Sequence, residues 1–367
     1  MSILRRSVAL AASVALVAGA AACEKSSNSS SSSNGGSGKK IALLLPESQT
    51  TRYESFDKPI FEAKVKALCS DCTVVYQNAS QDENKQKQQM DGVLAQGVNV
   101  VVLDPVNGES AGTLATTAKA KKVPVVAYDR LIKNTDLDAY VSFDNEEVGR
   151  AQAQSLLDKL KADGKTSGKI VMINGSTTDN NALLFNKGAH SVFDKQTAFQ
   201  LTPSKDFFTP EWKPENAQTF MAGQIATLGK TGFVGVYSAN DGMAGGAIAA
   251  MRAAGIKTIP PVTGQDSELA AIQRILVGDQ YMTIYKSYKA EAEKTAEVAV
   301  ALAQGKTPAG LDAKVNNGQK DVPSALLPVV AATKDKIAST IVADKLWTVQ
   351  QICTAEFATA CKSAGLQ

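Results

Sequence analysis

The chain has 367 residues, 44% of them hydrophobic and 20% charged, which is enough apolar material for two α/β units and too much for disorder throughout. Its 39 Lys and Arg nearly balance 36 Asp and Glu, leaving a formal net charge of +3, so no basic excess marks a nucleic-acid partner. A single histidine, His190, excludes histidine-rich metal centres and leaves any Ser-His-Asp arrangement with one candidate base.

Arg5 and Arg6 precede an apolar run from Val8 to Ala22 that is shorter than the roughly 20 residues a bilayer-spanning helix needs, and small residues crowd its end. This pattern reads as a secretory signal peptide over residues 1–22. The stretch Ala20-Ala21-Ala22-Cys23 resembles the lipobox of bacterial lipoproteins, which implies a lipid on Cys23 and an address at the outer face of the cytoplasmic membrane. Residues 26–38 are all Ser, Asn or Gly, a composition that buries no apolar surface, so 23–39 reads as a lipidated, flexible leash. Setting Cys23 aside leaves an even four cysteines. Cys69 with Cys72 and Cys353 with Cys361 are expected to form two local disulfides in an oxidising compartment, ahead of a zinc site or thiol exchange. Neither a metal nor a cofactor is expected.

From Lys40 onward, continuous apolar or β-branched runs alternate with helical patterns. Residues 41–45, 73–76, 98–103 and 125–128 read as strands buried on both faces, with helices over 59–68, 85–96 and 110–120 between them. The pattern repeats with strands at 169–174, 232–238 and 282–285 and helices at 145–162, 179–193, 215–228, 242–254 and 267–277. Such alternation predicts an α/β protein built as two doubly wound parallel-sheet lobes.

Ligands of open parallel sheets bind beyond the carboxyl ends of the strands. The positions there are Asp104, Asp129-Arg130, Asp179-Asn180-Asn181, Asn240-Asp241, Gln265-Asp266 and Lys286, with aromatic residues at Tyr53 and Trp212. Hydroxyl groups donate and accept, so carboxylates, amides and guanidinium groups satisfy them, while the CH faces of a pyranose stack on flat rings. The list suits a sugar.

Several segments carry a resemblance: Val126-Ala-Tyr-Asp-Arg-Leu-Ile132, Ser142-Phe-Asp-Asn-Glu146, Asp179-Asn-Asn-Ala182, Trp212-Lys-Pro-Glu-Asn-Ala217, Asn240-Asp241, Gly264-Gln-Asp266, Thr283-Ile-Tyr-Lys286 and Asn317-Gly-Gln-Lys-Asp-Val-Pro-Ser324. Through these, the chain from Lys40 to about Asp344 resembles the periplasmic sugar-binding proteins of ABC transporters, nearest the xylose binders. The resemblance implies a type I binding-protein fold with a three-strand hinge. The first lobe would hold 40–143 plus 287–328, and the second 144–286 plus 329–367. It further implies a monomer that binds a monosaccharide, D-xylose favoured, serves an ABC permease and is not an enzyme. Arg52, Asp129, Arg130, Asp179, Asn181, Asn240, Asp266 and Lys286 would bond the hydroxyls, and Tyr53 and Trp212 would stack. Tyr53 stands where the xylose binders have tryptophan, and Pro46-Glu47 replace two aspartates.

Simpler roles compete for some of these residues. Asp241, ahead of an apolar helix, is read as its N-cap, and Asp179 could open its own helix. Asp129 and Arg130 could form a plain ion pair, and His190 could be surface or core filler. Gly242, Gly245 and Gly246 are assigned to close helix packing, since no phosphate-loop motif is present. Two rival functions remain, a sugar-responsive regulator, which lacks a helix-turn-helix, and a secreted glycosidase using Asp129 and Asp266.

Overall fold

The structure, a computed structural model, describes residues 38–366; the expected export signal over 1–22, the expected lipid site Cys23 and the expected leash up to Ser37 lie outside the described residues. In the first lobe, β1 (Lys40–Leu45), α1 (Lys58–Leu68), β2 (Thr73–Asn78), α2 (Glu83–Ala95), β3 (Val100–Leu103), α3 (Gly112–Ala120), β4 (Val125–Tyr128) and β5 (Ala139–Phe143) follow in order. In the second come α4 (Asn145–Ala162), β6 (Gly168–Ile173), α5 (Asn180–Phe193), β7 (Phe199–Thr202), α6 (Pro214–Leu228), β8 (Gly235–Ser238), α7 (Asp241–Ala253), α8 (Leu269–Val277) and β9 (Met282–Lys286). The chain then returns through α9 (Tyr288–Ala303), β10 (Ala313–Asn316) and β11 (Asp321–Leu327) to the first lobe, and through β12 (Val329–Thr333) to the second.

The first sheet is seven-stranded, ordered β10-β11-β5-β4-β3-β1-β2, and parallel except for β10. Because side chains alternate along a strand, Ile41, Leu43 and Leu45 pack under α1 and α9, while Ala42 and Leu44 face α2 and α3. In the second lobe β7-β6-β8 form a parallel sheet. Parallel bridges Val236↔Val262 and Gln265↔Ile284 carry it on to β9, which pairs antiparallel with β12. Glycine permits two close helix crossings here. A Cβ on Gly149 would lie 1.9 Å from the Phe185 carbonyl oxygen and one on Gly188 2.0 Å from that of Glu146, so α4 and α5 meet backbone to backbone. Gly246 does the same for α7 against Pro214 of α6, whereas Gly242 has ordinary room around it.

Three connections join the lobes side by side. Leu327 pairs with Phe143 in the first sheet, and two residues later Val329 pairs with Lys286 in the second. Beyond β12 the C-terminal segment covers α8 with Ile337, Ile341, Ile352 and Leu366. Cys69 and Cys72 lie with Cα atoms 5.2 Å apart, Cys353 and Cys361 with Cα atoms 5.8 Å apart, and each pair has its sulfur atoms joined.

Several expected helices begin elsewhere. The helix expected from Ser267 begins at Leu269, because Asp266 and Ser267 adopt φ of +95° and +51°. Asn240 caps α7, its side chain accepting from the Met243 amide at 3.0 Å. The cap assigned to Asp241 is therefore corrected: Asp241 is the first helical residue, and its carboxylate points into the core.

Candidate functional site

The carboxyl ends of the parallel strands in both lobes face one another, and between them lies a small, tightly lined cavity. Its lining includes all ten residues expected to bond or stack a ligand: Arg52, Tyr53, Asp129, Arg130, Asp179, Asn181, Trp212, Asn240, Asp266 and Lys286. Thr50, Phe185 and Gln265 complete it. Gln265 is legible as a strand-end amide; Thr50 and Phe185, one in a loop and one inside α5, carry no such signal.

Arg52 stands at the entrance to a wide turn over Tyr53–Asp57, where its guanidinium meets three carboxylates. Nε lies 2.7 Å from Asp57, Nη1 lies 3.4 Å from Asp129, and Nη2 contacts Glu291 of α9. Burial alone would lower its pKa, but Asp129, Asp57 and Glu291 hold it well above the ordinary value, so the cation is permanent. Burial pushes Asp57 and Glu291 up, against the pull of Arg52.

Asp129, at φ +53° just past β4, is held from several sides. Its carbonyl accepts from Ser142 Oγ at 2.7 Å, Tyr140 OH at 3.0 Å and Asn181 Nδ2 at 3.0 Å. Burial raises its carboxyl pKa, yet Arg52, Lys286 and Arg130 together outweigh that and keep it below the usual range. Arg130 does not pair with Asp129. Its Nε lies 3.2 Å from Asp179 in the other lobe and 3.6 Å from Asp104, and its Nη2 donates to Tyr53 OH at 3.2 Å. Asp179 doubles as N-cap of α5, its carboxylate accepting from the Asn181 amide at 2.8 Å. Burial leaves it raised despite Arg130. Burial likewise pushes Asp104 well up behind Arg130.

Across the cavity, Lys286 Nζ lies 2.9 Å from Asp266. The Trp212 ring stands on Gly175, where an added Cβ would come within 2.0 Å of it, and the edge of Phe185 braces it at a centroid distance of 6.3 Å. Trp212 Nε1 and Gln265 Oε1 are buried without a hydrogen-bond partner, and Arg52 Nη1 and Arg130 Nε meet their carboxylates off the hydrogen-bonding line. Three cations and three carboxylates thus line one small space beside a flat indole. His190 is elsewhere, on the half-buried outer face of α5 between Asp194 and Asp206.

The family model described as the periplasmic binding protein domain matches residues 41–307. The chain belongs to the periplasmic binding protein family. Among relatives, this periplasmic binding protein is 37% identical to a D-xylose-binding periplasmic protein of Haemophilus influenzae, over 85% of this chain and 92% of that one. It is 36% identical to the D-xylose-binding periplasmic protein of Escherichia coli, over 83% and 90%. An ABC transporter solute-binding protein of Clostridium phytofermentans, solved with bound β-D-glucose, superposes with a TM-score of 0.80 at 29% identity, covering 86% of this chain and all of that one. No helix among the described residues is long and apolar enough to cross a membrane.

Proposed function

We propose that this periplasmic binding protein encloses one unaltered monosaccharide, D-xylose in preference to other aldoses, and presents it to an ABC permease. The observation that carries the reading is the cavity's balanced lining. Fixed cations, fixed carboxylates and amides next to an indole face suit a neutral ligand whose groups each donate and accept and whose CH face is flat. The likeness to the two xylose-binding relatives supports xylose, and the glucose bound in the Clostridium phytofermentans structure makes glucose the second reading.

Turnover is disfavoured because the relatives and the structural neighbour that support the reading are solute-binding proteins. The lobes are taken as 40–143 plus 287–328 and 144–286 plus 329–367, rotating about the three connections, with sugar shifting the population toward closure. The signal over residues 1–22, a lipid on Cys23, the leash at 23–39 and oxidised pairs Cys69–Cys72 and Cys353–Cys361 fit a monomer tethered outside the cytoplasmic membrane.

Calorimetric titration with D-xylose, D-glucose, L-arabinose and D-galactose, with chromatography of the recovered sugar, tests the reading. Tightest binding of intact D-xylose is expected. Recovery of a converted sugar, or binding of none of the four, overturns it.

A further inference from the structure

The residue that presents Asp266 to the cavity has an unusual backbone. Asp266 and its neighbour Ser267 both adopt positive φ, +95° and +51°, a region that residues with a Cβ occupy only when their surroundings force them. What forces them lies behind the cavity wall. The Ser267 amide donates to Thr283 Oγ1 at 3.1 Å, Thr283 Oγ1 donates to Asp241 Oδ2 at 2.8 Å, and the Glu268 amide donates to the same Oδ2 at 3.0 Å. Two successive backbone donors after Asp266 are therefore tied to one carboxylate, one directly and one through a hydroxyl.

That carboxylate is itself fixed. Its other oxygen accepts from Gln280 Nε2 at 2.7 Å, Gln280 Oε1 accepts from Arg274 Nε at 3.0 Å, and Arg274 Nη2 donates to the Asp241 carbonyl at 2.8 Å. Gly264 makes the approach possible, since a Cβ there would lie 2.0 Å from Asp241 Oδ1. Asp241 is fully buried and absent from the cavity lining, so it does not touch a ligand.

We propose that Asp241 is a positioning residue, with Thr283 as its relay, that holds the Asp266–Ser267 turn in its left-handed conformation and so fixes the Asp266 carboxylate for the sugar. The assignment of a sugar to this cavity rests on the function proposed above; the holding of the turn does not. Three donors converge on the two oxygens of Asp241, and asparagine keeps the shape but offers a single acceptor oxygen, so it loses part of the clamp.

Three variants test this: Asp241→Asn, Thr283→Val, which removes the hydroxyl at constant shape, and Thr283→Ser, which restores it. In the sugar-free protein, hydrogen–deuterium exchange of the Ser267 and Glu268 amides is expected to accelerate by at least about tenfold in Asp241→Asn and Thr283→Val, and to return toward the parent rate in Thr283→Ser. Affinity for D-xylose or D-glucose, measured by calorimetry, is expected to fall by a similar factor in the first two and recover in the third. Parent exchange rates in Thr283→Val overturn the proposal whatever the ligand is, and so does faster exchange with unchanged affinity. If the parent binds neither sugar, the functional reading falls, while the exchange measurement still decides whether Asp241 holds the turn.

Discussion

Arg130 Nε lies 3.2 Å from Asp179 Oδ2, joining the second residue after β4 of one lobe to the residue that opens α5 of the other. The contact is buried, so its Coulomb energy is not diluted by water, and it lies in the cavity wall. Asp179 does two things at once, capping α5 and facing Arg130, and the two can be separated. Asparagine caps a helix about as well as aspartate but carries no charge. Asp179→Asn is therefore expected to leave the melting temperature within a few degrees of the parent while weakening sugar binding by at least about tenfold, from loss of a charged hydrogen-bonding partner. Calorimetry beside a thermal melt checks it; equal affinity in both proteins would remove Asp179 from the ligand's contacts.

Arg52 behaves differently because it compensates three carboxylates, Asp57, Asp129 and Glu291, all of them buried. Removing the cation strands them. Arg52→Met is expected to destabilise the fold by about 3–5 kcal/mol, read from urea unfolding, before any effect on ligand is considered. A loss below about 1 kcal/mol would show that the carboxylates protonate at little cost.

The indole of Trp212 rests on Gly175 with no room for a methyl group. Gly175→Ala must lift the ring into the cavity or push the backbone apart, at a cost of roughly 1–3 kcal/mol in stability. Affinity should fall with the stability, and the emission of Trp212, one of only two tryptophans, should shift in the ligand-free protein. An unshifted spectrum together with parental affinity would mean that the ring is not seated there.

His190 is the single histidine, which makes its titration readable without assignment. Burial lowers its pKa, but Asp194 on Nδ1 at 2.9 Å and Asp206 on Nε2 at 3.1 Å outweigh burial and raise it. A pKa raised on folding means that the pairing stabilises the protein fully below the unfolded value of about 6.5, and that this contribution disappears as pH rises through the folded value. The half-buried position keeps the effect to about 1 kcal/mol or less. The difference in melting temperature between parent and His190→Gln should therefore be largest below about pH 6.5 and shrink as pH rises through the raised folded value; a constant difference would discount the ion pairs.

Much of the architecture can be read from residues 40–286, because parallel strands buried on both faces appear as unbroken apolar runs and their carboxyl ends as polar clusters. That is why residues as distant as Arg52 and Lys286 can be nominated together and why they line one cavity. The strand Ala139–Phe143 is harder to recognise, since Tyr140 and Ser142 interrupt its run while serving Asp129. β7, β10 and β12 are short or at sheet edges, where alternation is weak. Nothing local distinguishes Asp57 or Glu291 as partners of Arg52, because their importance comes from tertiary approach. Asp241 shows the same limit: helix-start chemistry favours it as a cap, but Asn240 sits one position better, and the carboxylate is drawn inward by Glu268, Gln280 and Thr283.

The placement of β11 beside β5 has a consequence for biogenesis. Tyr140 pairs with Ala127 of β4 on one side but finds its second sheet neighbour only when Ser324 emerges, so during N-to-C synthesis the nascent first lobe carries an open edge of exposed amides and carbonyls until β11 has been made. Truncation anywhere between the two strands would leave that edge permanently free to recruit other chains.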